Sequence, residues 1–246
     1  MAEFRFEDED LATLKGKVVL ITGGSSGIGL ATVELLLSIG AMVAIGDLQP
    51  PGQQMKGTFT FVKTDVTRWD DLLALFDKTK ELYGRIDHVF ANAGIGPRAD
   101  YLSLELDQDG KLMEPSSQSL DTNLKGVINT SALAIHHMHQ QEYGGSIVIT
   151  GSATGLPAIP SRRLCCPILE GFADDINVDA QPAYVVARCA CYLMSDTSMN
   201  GQHVHVQRGK YVEVDDAVLL PAYDKINGDG CPSEDEAFER LVAPAA

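Results

Sequence analysis

The chain has 246 residues, 45% of them hydrophobic and 22% charged, a globular composition long enough for one large α/β domain. Nineteen basic against 34 acidic side chains leave a net charge of −15. That balance argues against nucleic acid or an anionic membrane surface as a partner, since both attract basic surfaces.

The chain begins MAEFRFEDED, without the basic and apolar regions of a signal peptide, and no apolar run reaches bilayer length. The five cysteines, Cys165, Cys166, Cys189, Cys191 and Cys231, have the spacing of neither a zinc knuckle nor a secreted disulfide framework. These features are read together as a cytoplasmic protein with reduced thiols and no metal site.

Residues 1–14 form an acidic arm. KVVLITG (17–23) is a short apolar, β-branched run ending in glycine, which predicts a buried parallel strand. GIGLATVELLLSIG (27–40) has helical apolar spacing with a terminal glycine. Strands are expected at 41–47, 58–66, 86–94 and 145–150, and helices at 69–84 and 119–141. Strands alternating with helices imply right-handed crossovers and a parallel sheet covered on both faces. The predicted fold is therefore α/β, a doubly wound, Rossmann-like parallel sheet in a single domain (residues 15–209). An acidic tail (210–246) follows it.

The turn TGGSSGIG (22–29) lies between the first strand and the first helix. Gly23, Gly27 and Gly29 allow a tight turn and close approach of a pyrophosphate, and the helix N-terminus offers free N–H groups to that anion. Asp47 ends the second strand, where a carboxylate accepts hydrogen bonds from ribose hydroxyls and repels a 2′-phosphate. NAD is therefore favoured, with NADP as the alternative.

These residues, followed in order by Asp65–Val66, Asn92–Ala93–Gly94, Asn123 in DTNLKG and Ser152 in IVITGSATG, resemble the short-chain dehydrogenase/reductase family. The match runs over roughly residues 15–155. It resumes at 182–209, which is similar to the family's late helix and last strand. The general flavour is that of members in fungal biosynthetic pathways. The resemblance implies that Ser25, Ser26 and Ile28, with Gly23 and Gly29, line the pyrophosphate turn. It places Asp65 and Val66 at the adenine edge and Asn92 beside the adenosine ribose, with Lys125 reaching the cofactor side. Asn123 would hold a water in a proton relay, and Ser152 would donate a hydrogen bond to the substrate oxygen.

The family's reaction also needs a tyrosine to exchange a proton and a lysine four residues later to lower its pKa. Neither follows Ser152 at the family's spacing, and no tyrosine of the sequence has lysine at the fourth position. Tyr184–Arg188 alone has a cation there, although arginine is no simple substitute for lysine. Between a fifth strand ending at Thr150 and a sixth at 162–166 lie residues 151–161, fewer than a parallel crossover generally uses. The sixth-strand region is therefore expected to be shortened or missing, with a deletion near 156–166. The fifth strand is left with an open edge. The family's usual dimer helix is also missing, which leaves the oligomer open. Besides a cofactor-assisted isomerase that needs no tyrosine, two readings follow. In one, the chain is an oxidoreductase moving a hydride between NAD(P) and a hydroxyl or carbonyl of a small molecule. In the other, it is an inactive dinucleotide-binding remnant with a binding or regulatory role.

Overall fold

The strand Val18–Thr22 (β2) is buried along its whole length. Its side chains Val18, Val19, Leu20 and Ile21 have no exposed surface, and each such burial contributes about 1.5–3 kcal/mol. The computed structural model describes residues 2–96, 105–152 and 181–222, and they fall into two compact units. One runs from Phe6 to Met199, and the other joins the first five residues to the segment from Asn200 onward.

In the Phe6–Met199 unit, β2 is flanked by Met42–Asp47 (β3) and His88–Ala91 (β5), with Thr58–Lys63 (β4) and Ser146–Ile149 (β6) outermost. All four pairings are parallel. The order β4-β3-β2-β5-β6 is that of a doubly wound nucleotide-binding sheet, the fold class expected from strands alternating with helices. The expected sixth strand at 162–166, and the deletion near 156–166, lie outside the described residues. Among the described residues nothing pairs with the outer edge of β6.

Helices Gly27–Ile39 (α1) and Ala183–Ser195 (α5) pack side by side, as do Trp69–Tyr83 (α2) and Gly126–His139 (α4). Each helix buries one apolar stripe. Leu72, Leu75 and Phe76 of α2 and Leu133, Ala134 and Met138 of α4 share one core with Leu20, Ala44 and Val89 of the sheet. The stripe spacing of three and four residues is why these segments form helices facing the sheet. A short helix, Gln118–Leu120 (α3), and a widened π turn, Asp121–Lys125, lead into α4.

Part of the 1–14 segment belongs to this unit. Asp8–Leu14 forms a 3₁₀ helix that buries Leu11 and Leu14 and packs against α5. Phe6 stacks on Tyr192 at 4.4 Å between ring centroids.

In the second unit, Ala2–Phe4 (β1), Val204–Gln207 (β7) and Lys210–Glu213 (β8) form an antiparallel sheet in the order β1-β8-β7. The resemblance reads residues 182–209 as the family's late helix and last strand, a strand expected in the parallel sheet. Instead Val204–Gln207 closes a hairpin, with Gln207 paired to Lys210. The reason is local. Arg208 and Gly209 both hold positive φ, 51° and 76°, the two-residue turn whose twist suits a hairpin.

His88 opens β5 with Nδ1 2.8 Å from the Ser146 hydroxyl of β6. Its Nε2 is buried without a partner among the described residues. Burial pushes its pKa down to about 4 against the pull of Asp87, and Lys17 and Arg85 lower it further. The folded state thus keeps His88 neutral while the unfolded chain, titrating near 6.5, takes up a proton first. Stability is full above about pH 6.5 and falls as the pH drops toward 4. Urea unfolding at about pH 7.5 and pH 5 is expected to show about 2 kcal/mol lost through this group, and His88→Asn should remove that share of the slope. An unchanged slope in the variant would contradict the assignment.

Candidate functional site

Strand register brings four positions into one row. Thr22 pairs with Gly46 and Ala91, and Ala91 with Ile149. One residue further on, Gly23, Asp47, Asn92 and Thr150 lie side by side at the carboxyl edge of the sheet. β3 and β5 leave β2 in opposite directions, and open parallel sheets have their crevice at such a reversal.

Gly23 leaves β2 with its N–H donated to the Gly46 carbonyl at 2.7 Å. The chain then loops back so closely that a Cβ at Gly29 would stand 2.0 Å from the Gly23 oxygen. That contact is backbone on backbone, so only glycine fits. Ser26 is the exposed N-cap of α1 and makes no side-chain capping bond. The first-turn N–H groups therefore lack the usual side-chain acceptor. Ile28 is half-buried, and its carbonyl accepts the Thr32 hydroxyl at 2.8 Å. The Ser25 hydroxyl is buried without a partner among the described residues. An orphaned buried donor beside an open helix N-terminus fits an anion.

Asp47 reaches back to this turn. One carboxylate oxygen accepts the Ser25 N–H at 2.9 Å and the other the Leu48 N–H at 2.7 Å. After β4, Asp65 accepts both the N–H and the hydroxyl of Thr67, at 2.9 and 2.7 Å, and donates its own N–H to Asp71. Val66 is buried and fills the space against Gly126, where an added Cβ would meet its methyl at 2.7 Å.

Asn92 is the hub of the row. Its Nδ2 donates to the carbonyls of Gly23 at 3.1 Å and Thr22 at 3.4 Å, and its Oδ1 accepts the Thr150 hydroxyl at 2.9 Å. Asn123 sits in the π turn 121–125. Its Oδ1 accepts the Ile95 N–H and its Nδ2 donates to the Ile95 carbonyl, both at 2.9 Å. The amide thus holds the segment after Gly94 as a neighbouring strand would. Such widened turns recur at functional positions. Lys125 ends the π turn and is exposed. Ser152 is half-buried just past β6.

Tyr184 and Arg188 stand elsewhere. Tyr184 lines a recess with Asp8, Ala31, Glu34, Leu35 and Ser38, on the outer flank of α1. Arg188 contacts the Tyr184 hydroxyl at 3.3 Å, pairs with Asp8 and donates to the Phe6 carbonyl. The pair anchors the segment before β2 rather than facing the crevice. Cys189 and Cys191 are buried, and burial pushes both thiols up to about 12, which leaves them unreactive. No group of three metal-binding side chains converges among the described residues.

Thr22 and Thr150 belong to this network although the sequence did not single them out. Thr22 Oγ1 accepts the N–H groups of Asn92 and Ala93 at 3.2 and 3.3 Å. The available signal was a hydroxyl at the last position of an apolar strand and at the boundary of another.

The profile of the short chain dehydrogenase family matches residues 17–204. The chain belongs to that family. It is 42% identical over 284 aligned positions to the short-chain dehydrogenase/reductase ascJ of Acremonium egyptiacum, covering 98% of this chain and 96% of the relative. It is 39% identical over 156 positions to the short-chain dehydrogenase/reductase prx4 of Penicillium roqueforti, covering 63% of this chain and 46% of that one. The crystal structure of a short-chain dehydrogenase/reductase from Burkholderia phymatum in complex with NAD matches with a TM-score of 0.51 at 27% identity, over 61% of this chain and 53% of that one. This chain therefore spans nearly all of ascJ and about half of prx4.

The family reading of the sequence stands, and with it the Rossmann-like fold and NAD(P) as cofactor. The residues present fit a dinucleotide: an uncapped helix start, an orphaned Ser25 hydroxyl and a carboxylate one strand away. Ser25→Ala separates binding from folding. Removing a buried hydroxyl with no partner should leave urea stability unchanged or raised, while NADH affinity falls roughly 3- to 10-fold. Loss of stability with unchanged affinity would contradict this assignment.

Proposed function

We propose that this short-chain dehydrogenase binds NAD(H) at the carboxyl edge of its sheet. There it supports hydride exchange with a hydroxyl or carbonyl carbon of a small molecule. The observation that carries the reading is the row Gly23–Asp47–Asn92–Thr150 beneath the uncapped start of α1.

In this reading Ser25, Ser26 and the first-turn N–H groups of α1, through Ile28 and Gly29, face the pyrophosphate. Each Asp47 oxygen takes one backbone N–H and keeps a lone pair for a ribose hydroxyl. Its charge opposes a 2′-phosphate, which supports NAD over NADP. The free Asp65 oxygen and the Val66 backbone border the adenine, and Asn92 holds the turn beside the ribose. Lys125 is placed on the cofactor side. Ser152 donates to the substrate oxygen. Asn123 spends its amide on Ile95 and retains one oxygen lone pair for a relay water. The nicotinamide, when bound, supplies or accepts the hydride.

The accompanying proton needs an acid poised near neutrality. None of the described residues is assigned that role. The 284 positions aligned with ascJ outnumber the 246 residues of this chain, so ascJ carries residues absent here. The net charge of −15 supports a small-molecule partner rather than nucleic acid. No helix among the described residues is long and apolar enough to cross a membrane. The cysteine usage supports a cytoplasmic setting.

Titration of the purified protein with NADH and NADPH tests the reading. NADH is expected to bind more tightly, and Asp47→Ala should cost NADH tenfold or more in affinity while changing NADPH little. Incubation with NADH and assorted ketones should then consume nicotinamide absorbance. Binding without turnover would favour the dinucleotide-binding remnant, and no binding of either cofactor would defeat both readings.

A further inference from the structure

Asn92 is pinned from both sides, and the two sides are chemically forced. Its Nδ2 lies within reach of two carbonyl oxygens, those of Thr22 and Gly23. Carbonyls only accept, so the nitrogen end must face them and the oxygen end must face Thr150. The Thr150 hydroxyl, 2.9 Å away, is thereby fixed as a donor to Asn92 Oδ1. Its own main chain is tied down too, the Thr150 N–H donating to the Ala91 carbonyl at 3.1 Å.

The carbonyl at the far end of this relay is the critical one. The Gly23 oxygen is where α1 folds back most tightly, with the missing Gly29 Cβ position 2.0 Å from it and 2.8 Å from Asn92 Nδ2. Asn92 thus bonds the carbonyl against which Gly29 closes the turn. On the other side, Thr150 stands two residues before Ser152, on the chain leaving β6.

We propose that Thr150 is a positioning residue that couples the end of β6, and the Ser152 segment beyond it, to the phosphate-facing turn through Asn92. The relay runs from the Thr150 hydroxyl to Asn92 and on to Gly23, crossing β5 and β2. It sets the geometry of the first turn of α1 from the chain leaving β6, two residues before Ser152. The proposal rests on the dinucleotide reading for its functional consequence but not for its physical content.

Two measurements on the full chain separate these layers. Hydrogen exchange reports the turn directly, without cofactor, and NADH titration reports its consequence. Thr150→Val keeps the shape of the side chain and deletes the donor. It is expected to speed exchange across residues 22–30 roughly 3- to 10-fold, with exchange in α2 unchanged, and to weaken NADH binding by a similar factor, one net hydrogen bond. Thr150→Ser restores the donor and should return both readouts to within about twofold of the wild type. A residue that merely stabilised the sheet would change urea stability without selective exchange at the turn and without rescue by serine. Turn exchange and affinity both within about twofold of wild type in Thr150→Val, or failure of serine to rescue, would overturn the proposal. Should Thr150→Val not fold, Thr150→Cys weakens the donor at similar volume and is read the same way. If the wild type binds no NADH while the exchange effect is present, the dinucleotide reading falls and the coupling stands.

Discussion

Everything at this site depends on the in-register parallel pairing of β2 with its two neighbours. β2 is buried along its length, so a slip of one residue would turn its N–H and C=O groups away from both neighbours and leave them unpaired in the core. That cost fixes Thr22 opposite Gly46 and Ala91, and Ala91 opposite Ile149. The row of Gly23, Asp47, Asn92 and Thr150 follows from it without further specification. Backbone pairing inside the core thus determines the position of the polar groups.

Upon that row, the hydrogen bonds divide into two sets. One holds the protein together: Asn92 to Thr22 and Gly23, Asn123 to Ile95, and Asp65 to Thr67. The other is incomplete among the described residues, at the uncapped start of α1 and the Ser25 hydroxyl. Buried polar groups are normally satisfied, so the incomplete set is where an anion would fit. Asp47 takes part in both, bracing the turn through the Ser25 N–H while presenting its charge beside it.

The strands and helices of the parallel unit were legible in the sequence because their signals were local: β-branched apolar runs for buried strands, three- and four-residue spacing for α2 and α4. So was the candidate glycine turn, where Gly23, Gly27 and Gly29 follow the first strand at once. Two features were not legible. Val204–Gln207 reads as a strand either way, and only the positive φ of Arg208 and Gly209 decides that it pairs with β8. Thr150 is an unremarkable threonine until register sets it beside Asn92. Tyr184–Arg188 shows the converse. Its spacing imitates a catalytic couple, yet Asp8 and Phe6 claim the arginine on the outer flank of α1. Sequence spacing places two side chains on one helix face but not in a crevice. Asn123 falls between these cases, its position legible from the motif but its double bond to Ile95 visible only in the structure.

The central claim is that the start of α1, framed by Gly23, Asp47 and Asn92, receives the pyrophosphate of an adenine dinucleotide. An amide NMR titration with NADH tests it most directly. The account predicts saturable shifts concentrated at residues 23–29, with smaller ones at Asp47, Asp65–Val66 and Asn92–Gly94, and none along the Tyr184 flank of α1. Absence of shifts at residues 23–29 at saturating NADH, or shifts confined to that outer flank, would contradict it.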